Sequence, residues 1–313
     1  MSFGDFFLRY PENFPSQQGG LSWGEERVSI ALAGSVFLFS GLSVRQSEYI
    51  RQRYADFLAS ESCDEPPVLI NVFRADPAHF RPIEKFPWVY TMDFTYQPAC
   101  VRIAGLQLMA IIDWNPEVRA ALWSATEEGQ DFASVFENVF RAVAAYTVLN
   151  CGGVLLHSAG ISDGERAWIG FGHSGAGKST LSRLSLEAGK RVLSDDINVI
   201  RFQAGRWCAQ RIPFSGELGP TYGDGDSYPV AGICRLYQGQ AHRLERLGRT
   251  QGVAMLVASS PFVNNDPYRA QDLMSTLEAL LYTVPCHRLT FCKDPEFWHL
   301  LKAMPPVDAP PLP

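Results

Sequence analysis

The chain has no excess of positive charge. Its 27 Lys+Arg stand against 33 Asp+Glu, a formal net charge of −6. That balance argues against the broad basic surface that a nucleic-acid backbone demands. No nucleic-acid partner is expected, and a nucleotide would need a small local positive site. The seven cysteines, at 63, 100, 151, 208, 234, 286 and 292, form no CxxC pair. The missing spacing argues against a zinc site, and the odd count suggests reduced thiols in a cytoplasmic protein. No signal peptide is expected, since "MSFGDFFLRYPENF" puts acids and aromatics where a basic segment would be. Long hydrophobic runs are also few. Residues 28–44 carry no charge, but they are short for a bilayer and include four serines and two glycines. They read as two strands around a turn. Residues 142–161 are uncharged apart from His157, and Asn150-Cys151-Gly152-Gly153 divides them into a helix and a strand. No membrane partner is expected, and no internal repeat is visible.

What is present fits a folded protein of one large or two ordinary domains, with 313 residues, 46% apolar and 19% charged. Residues 1–125 read as a small α+β domain, a place for substrate recognition. Its strand-like runs are "SVFLFSGL", "VLINVF", "WVYTMDFTY" and "LQLMAIIDW". Val44, Ile50, Tyr54, Phe57 and Leu58 mark one apolar helical face. Phe6, Phe7, Trp23, Phe80, Trp88 and Tyr90 read as core. Phe132, Val135, Phe136, Val139, Phe140 and Val143 follow the helical period, and this helix is expected to open a second domain over 126–302. Within it, "GVLLHSAGI", "AWIGF", "KRVLSDD", "INVIRF", "RWCAQRIPF", "PVAGICRLYQG" and "CHRLTF" read as strands. "STLSRLSLEAG", the run of Leu273, Leu277, Leu280 and Leu281, and "DPEFWHLLKA" read as helices. Residues 303–313, with five prolines, read as an extended, disordered tail.

Gly172-x-x-x-x-Gly177-Lys178-Ser179 matches the Walker A pattern, between a strand and a helix. Gly172, Gly175 and Gly177 let the backbone curl so that N–H groups face phosphate oxygens, and His173, Ser174, Ala176 and Thr180 complete the loop. The helix that follows adds its positive end. Lys178 can reach the β- and γ-phosphates of ATP, and the Ser179 hydroxyl can bind Mg²⁺. A strand, this loop, a helix and a strand make a βαβ unit whose sheet can be parallel there. Asp195-Asp196 ends the second strand. One carboxylate can hold metal while the other takes a proton from an acceptor hydroxyl. Arg235, Arg243, Arg246 and Arg249 form a basic neighbourhood. One of them could stabilise transferring phosphate, but each reads better as solvated surface.

This constellation resembles the kinase domain of HPr kinase/phosphorylase and its related kinases, whose nucleotide core resembles that of ATP-dependent phosphoenolpyruvate carboxykinases. The family shows a histidine, a strand pair, G-x-S-G-x-G-K-S, and a strand ending in two aspartates. Here His157 precedes Gly172 by 15 positions, and Asp195 follows it by 23. The phrase "GHSGAGKST…AGKRVLSDDINVI" and the ending "VPCHRLTF…EFWHLL" look like the subgroup resembling precursor-peptide kinases of peptide natural-product clusters. The resemblance covers residues 140–302. It implies an α/β P-loop kinase domain with a mixed sheet, ATP and Mg²⁺ as cofactors, and a possible homo-oligomer. It implies catalytic roles for Asp195 as general base, His157 beside the acidic pair, and Lys178; Asp196 and Ser179 would hold the metal. The chain departs from the bifunctional enzymes at His173 and Thr180. It lacks their E-x-R-G-x-G signature, where "RIPFSGELG" (residues 211–219) stands instead. The expected activity is transfer of the γ-phosphate to a serine/threonine hydroxyl of a protein or peptide. A small-molecule, amino-acid-like kinase, or a nucleotide-binding module without phosphotransfer, remain open.

Overall fold

A computed structural model describes residues 20–59, 66–76, 80, 92–114, 117–214, 216–218 and 227–305. The chain divides into two compact units, 1–147 and 148–313. Phe6, Phe7, Trp88 and Tyr90 lie outside the described residues, as does most of the proline-rich tail.

In the first unit, β2 (Glu26–Leu32) and β3 (Ser35–Leu42) form the hairpin expected over 28–44, turning through Ala33 and Gly34 at positive φ. Helix α1 (Val44–Arg53) then carries the chain to β4 (Val68–Arg74), which lies parallel to β3. Ser43 and Gln46 form a reciprocal capping box at the start of α1. Val44 is therefore the first helical residue and stands 59% exposed, not on the core face with Ile50 and Tyr54. The antiparallel strands β5 (Met92–Gln97), β6 (Cys100–Gly105), β7 (Leu108–Asp113) and β8 (Arg119–Ser124) complete the sheet in the order β2-β3-β4-β8-β7-β6-β5. The two-residue β1 (Leu21–Ser22) pairs with β4.

Helix α2 (Gly129–Asn150) contains the phenylalanine stripe. Its rings pack within the first unit. Phe140 lies 5.2 Å from Phe37 and Phe39, and Phe136 lies 4.7 Å from Phe39 and 5.6 Å from Tyr54. The compact units thus divide at 147/148, not at 125/126. The helical period alone cannot say which sheet takes the apolar face. By length and apolarity α2 could cross a membrane, but 72% of its apolar window is buried.

In the second unit, β9 (Val154–Ser162) runs antiparallel to β10 (Ala167–Phe171). Helix α3 (Lys178–Glu187) leads from β10 to β11 (Arg191–Ser194). The expected strand–helix–strand unit forms, but β10 and β11 are not neighbours: β9 lies between them, antiparallel to each. Strand β12 (Ile197–Gln203) continues along the same edge of β9 and turns at Ala204-Gly205 into β13 (Arg206–Gln210). The twelve-residue β14 (Ser227–Gln238) pairs first with β13 and then, in parallel, with β10 and β16 (Cys286–Phe291). The ladders β10-β9-β12-β13-β14-β10 therefore close a ring. Three further elements surround it. They are β15 (Arg243–Arg246), α4 (Arg249–Val257) and α5 (Ala270–Thr283), followed by the short α6 (Phe297–Lys302). Leu181, Leu184, Leu236, Phe291, Phe297 and Trp298 build the core that seats α3 and α6.

Candidate functional site

The glycine-rich loop joins β10 to α3, and close packing fixes its shape. A Cβ on Gly172 would come within 2.5 Å of the Ala176 Cβ. Gly175 and Gly177 hold φ of +79° and +108°, the left-handed region that favours glycine. Gly177 caps α3, and its missing Cβ makes room for the Phe291 ring, which would otherwise stand 2.9 Å away. Lys178 folds its ammonium back on the loop and donates to the Gly172 carbonyl at 3.1 Å. Burial pulls the Lys178 pKa down. The negative charge of Asp196 opposes that shift, and Arg235 adds to it. Lys178 thus waits as a partly desolvated cation, paired with a weak dipole that a phosphate oxygen would outcompete.

Asp195 and Asp196 sit at a break in strand pairing. Strands β11 and β12 lie end to end along β9, and the two aspartates bridge the gap between them. Two features shape the break. The Ser158 N–H bonds to the Asp196 carbonyl at 2.9 Å, so pairing with β9 continues through the gap. The buried Asn198 amide donates to the Ser158 carbonyl (2.7 Å), the Ser158 hydroxyl (3.1 Å) and the Ser194 carbonyl (3.3 Å). Gly160 opposite has no side chain, and Asn198 occupies the space that a Cβ would need.

The two carboxylates differ. Asp195 is 5% exposed, and its Oδ1 accepts from the Gly216 N–H at 3.1 Å. Asp196 is more open, and its Oδ1 lies 3.5 Å from His157 Nε2. His157 points outward from β9, and its own N–H is tied to the Ser259 carbonyl at 2.7 Å.

These groups line one cleft of about 540 Å³ with Ser174, Gly175, Gly177, Ser179, Thr180, Gly216, Glu217 and Gln238. Of the loop residues singled out in sequence, Gly172, His173 and Ala176 are not on its wall. Gly172 and Ala176 shape the loop from beneath, and His173 is exposed with Nδ1 2.6 Å from the Ser174 carbonyl. The donor set fits magnesium. A hydroxyl (Ser179) and carboxylates (Asp195, Asp196, Glu217) offer the hard oxygens that such an ion requires.

Three wall residues carried no sequence signal of their own. Gly216 contacts both aspartates: a Cβ there would stand 2.8 Å from the Asp195 carboxyl carbon and 2.9 Å from the Asp196 Cβ. Glu217 follows it. Gln238, the last residue of β14, donates to the Gly175 carbonyl at 2.6 Å and braces the loop. Only the "RIPFSGELG" segment hinted at the first two.

No family model matches this chain, and no curated protein matches it. Among solved structures, the chain is similar to the HPr(Ser) kinase/phosphatase from Coxiella burnetii. The identity is 9%, 47% of this chain and 91% of that chain are covered, and the TM-score is 0.26.

Proposed function

We propose that the protein is an ATP-dependent phosphotransferase that moves the γ-phosphate to a serine or threonine hydroxyl of a protein or peptide. One observation carries this reading. A cation at a helix start (Lys178), a metal-binding hydroxyl (Ser179) and a base-competent aspartate pair with its histidine share a single cleft. Lys178 and the loop N–H groups would hold the triphosphate. Magnesium bound by oxygen ligands would neutralise charge on the phosphates.

The two aspartates then divide the work by environment. Asp195 is buried, and the Gly216 N–H fixes one of its carboxylate oxygens in place. That suits a ligand, together with Ser179. Asp196 is open to an incoming hydroxyl and lies beside His157. That suits the base, with His157 orienting it. The geometry thus favours the reverse of the roles that the resemblance implies.

The experiment compares Asp196→Asn with Asp195→Asn, using γ-labelled ATP and candidate peptides, followed by mapping of the labelled residue. Asp196→Asn should keep Mg–ATP affinity and lose transfer by roughly 10²–10⁴-fold, the span of general-base catalysis. Asp195→Asn should raise the magnesium requirement. Transfer unchanged in both variants sinks the assignment, and ATP binding without turnover on any hydroxyl substrate leaves a nucleotide-binding module.

A further inference from the structure

We propose that His242, Cys292 and Asp294 form a binding site for a divalent cation of the zinc type, separate from the cleft. The three residues come from two segments. His242 lies in the turn between β14 and β15, and Cys292 and Asp294 lie between β16 and α6. One ligand atom from each lies within 4.8 Å of the other two. A tetrahedral ion with bonds of roughly 2.0–2.3 Å would set the thiolate, imidazole and carboxylate atoms about 3.3–3.8 Å apart, a modest change from their present separation, and water can complete the tetrahedron.

The donor set excludes the common competitors. A thiolate is a poor ligand for magnesium or calcium, and sulphur with imidazole suits zinc and its transition-metal neighbours. The His242 side chain is 14% exposed, and its Nε2 lies 2.7 Å from Asp294 Oδ1. In the tautomer that donates from Nε2 to Asp294, the Nε2 proton is the one that the ion would displace. It moves to Nδ1, at the expense of only a long 3.4 Å contact from the Cys292 N–H. The thiol proton of Cys292 leaves to solvent. Asp294 Oδ1 also accepts from the Glu296 N–H at 3.0 Å, which fixes the carboxylate beside His242.

The position gives the ion its consequence. The same turn begins at Gln238, which braces Gly175, and the same loop begins after Phe291, which fills the space at Gly177. The Gly239 N–H bonds to the Phe291 carbonyl at 3.0 Å between them. A bound cation would therefore fasten together the two segments that support the glycine-rich loop. No sequence spacing reveals the site, because His242 and Cys292 are 50 positions apart.

The test uses the full chain and zinc alone, by equilibrium dialysis with metal analysis, and cobalt as a spectroscopic probe. Wild type should retain one zinc per chain, and its cobalt form should show a thiolate-to-metal charge-transfer band. Cys292→Ser removes the sulphur and leaves the His242–Asp294 bond in place, so the zinc-free melting transition should not move. Zinc affinity should fall by about tenfold or more, and the band should vanish. Asp196→Asn should bind zinc as wild type does, which separates this site from the cleft and from the proposed reaction. Equal zinc binding by Cys292→Ser and wild type overturns the proposal. So does a wild-type chain that retains no stoichiometric zinc, or loss of zinc in Asp196→Asn.

Discussion

Gly177→Ala probes the glycine-rich loop most directly. The substitution does two things at once. It forces an L-residue to hold φ +108°, ψ +20°, and it drives a methyl to 2.9 Å from the Phe291 ring edge. Left-handed backbone at a non-glycine residue costs roughly 1–2 kcal/mol. The ring cannot step aside freely, because Phe291 packs at 5.6 Å against Phe297 in a buried cluster. Overpacking of that kind adds about 1–3 kcal/mol. The total of about 2–5 kcal/mol can surface in two places. If the loop keeps its shape, the second unit loses stability, at about 2–4 °C of Tm per kcal/mol. If the loop opens, Mg–ATP affinity falls instead, tenfold for each ~1.4 kcal/mol. The assay is therefore paired: a thermal melt and a titration with fluorescent ATP analogue on the same variant. Adding Phe291→Leu should recover the steric part and leave the backbone part, which a double-mutant cycle separates. A Gly177→Ala protein that melts and binds nucleotide like wild type would refute the account of the loop.

Other expectations are simpler to state. Gly216→Ala should displace Asp195, break a charge-assisted bond worth about 1.5–3 kcal/mol, and reduce phosphotransfer without loss of the overall fold by circular dichroism. Phe140→Ala removes a fully buried ring at the crossing with Phe37, Phe39 and Tyr54, and should cost the first unit about 3–5 kcal/mol in denaturant unfolding. Burial, helped by Arg246, lowers the His287 pKa to about 4. An unfolded chain then binds the proton more readily, so stability is complete above about pH 6.5 and declines as the pH falls toward 4. His287→Gln should flatten that decline by roughly 2 kcal/mol, discounted from the full linkage value because the ring is only partly buried.

Local signals were legible in the sequence, and long-range partnership was not. "SVFLFSGL", "AWIGF" and "CHRLTF" match the bounds of β3, β10 and β16, because apolar alternation and flanking turn residues are local properties. The period of Phe132, Phe136 and Phe140 gave the helix, and Gly152 at φ +70° gave its end. That helix's partner sheet depended on Phe37 and Phe39, about a hundred residues earlier, and no period encodes such a distance. The same limit explains β9. Loop, helix and strand can be read in order, but not that an antiparallel strand slides between β10 and β11. In the cleft, the sequence marked Lys178, Ser179, Asp195, Asp196 and His157 by motif and spacing. Gly216 and Gln238 act through a backbone N–H and one amide, which leave no motif. Strands β6, β8 and β15 and helix α4 fall outside the runs legible in the sequence. The strand β15 was hidden by Arg243, Glu245 and Arg246, which read as solvated charge.

The closed ring also sets an order of assembly. Everything the motif names, from His157 to Asp196, precedes β14, which begins at Ser227. Without β14 the ladders β10-β9-β12-β13 have nothing to close them. The parallel partner of β10 is missing, Gln238 does not yet hold Gly175, and Phe291 is not yet beneath Gly177. A nascent chain at that stage carries all the chemistry and none of the grip. On the proposed function, competence for nucleotide would be a property of the finished unit, and a chain cut before residue 227 should be unable to hold ATP despite an intact Gly172–Ser179 sequence.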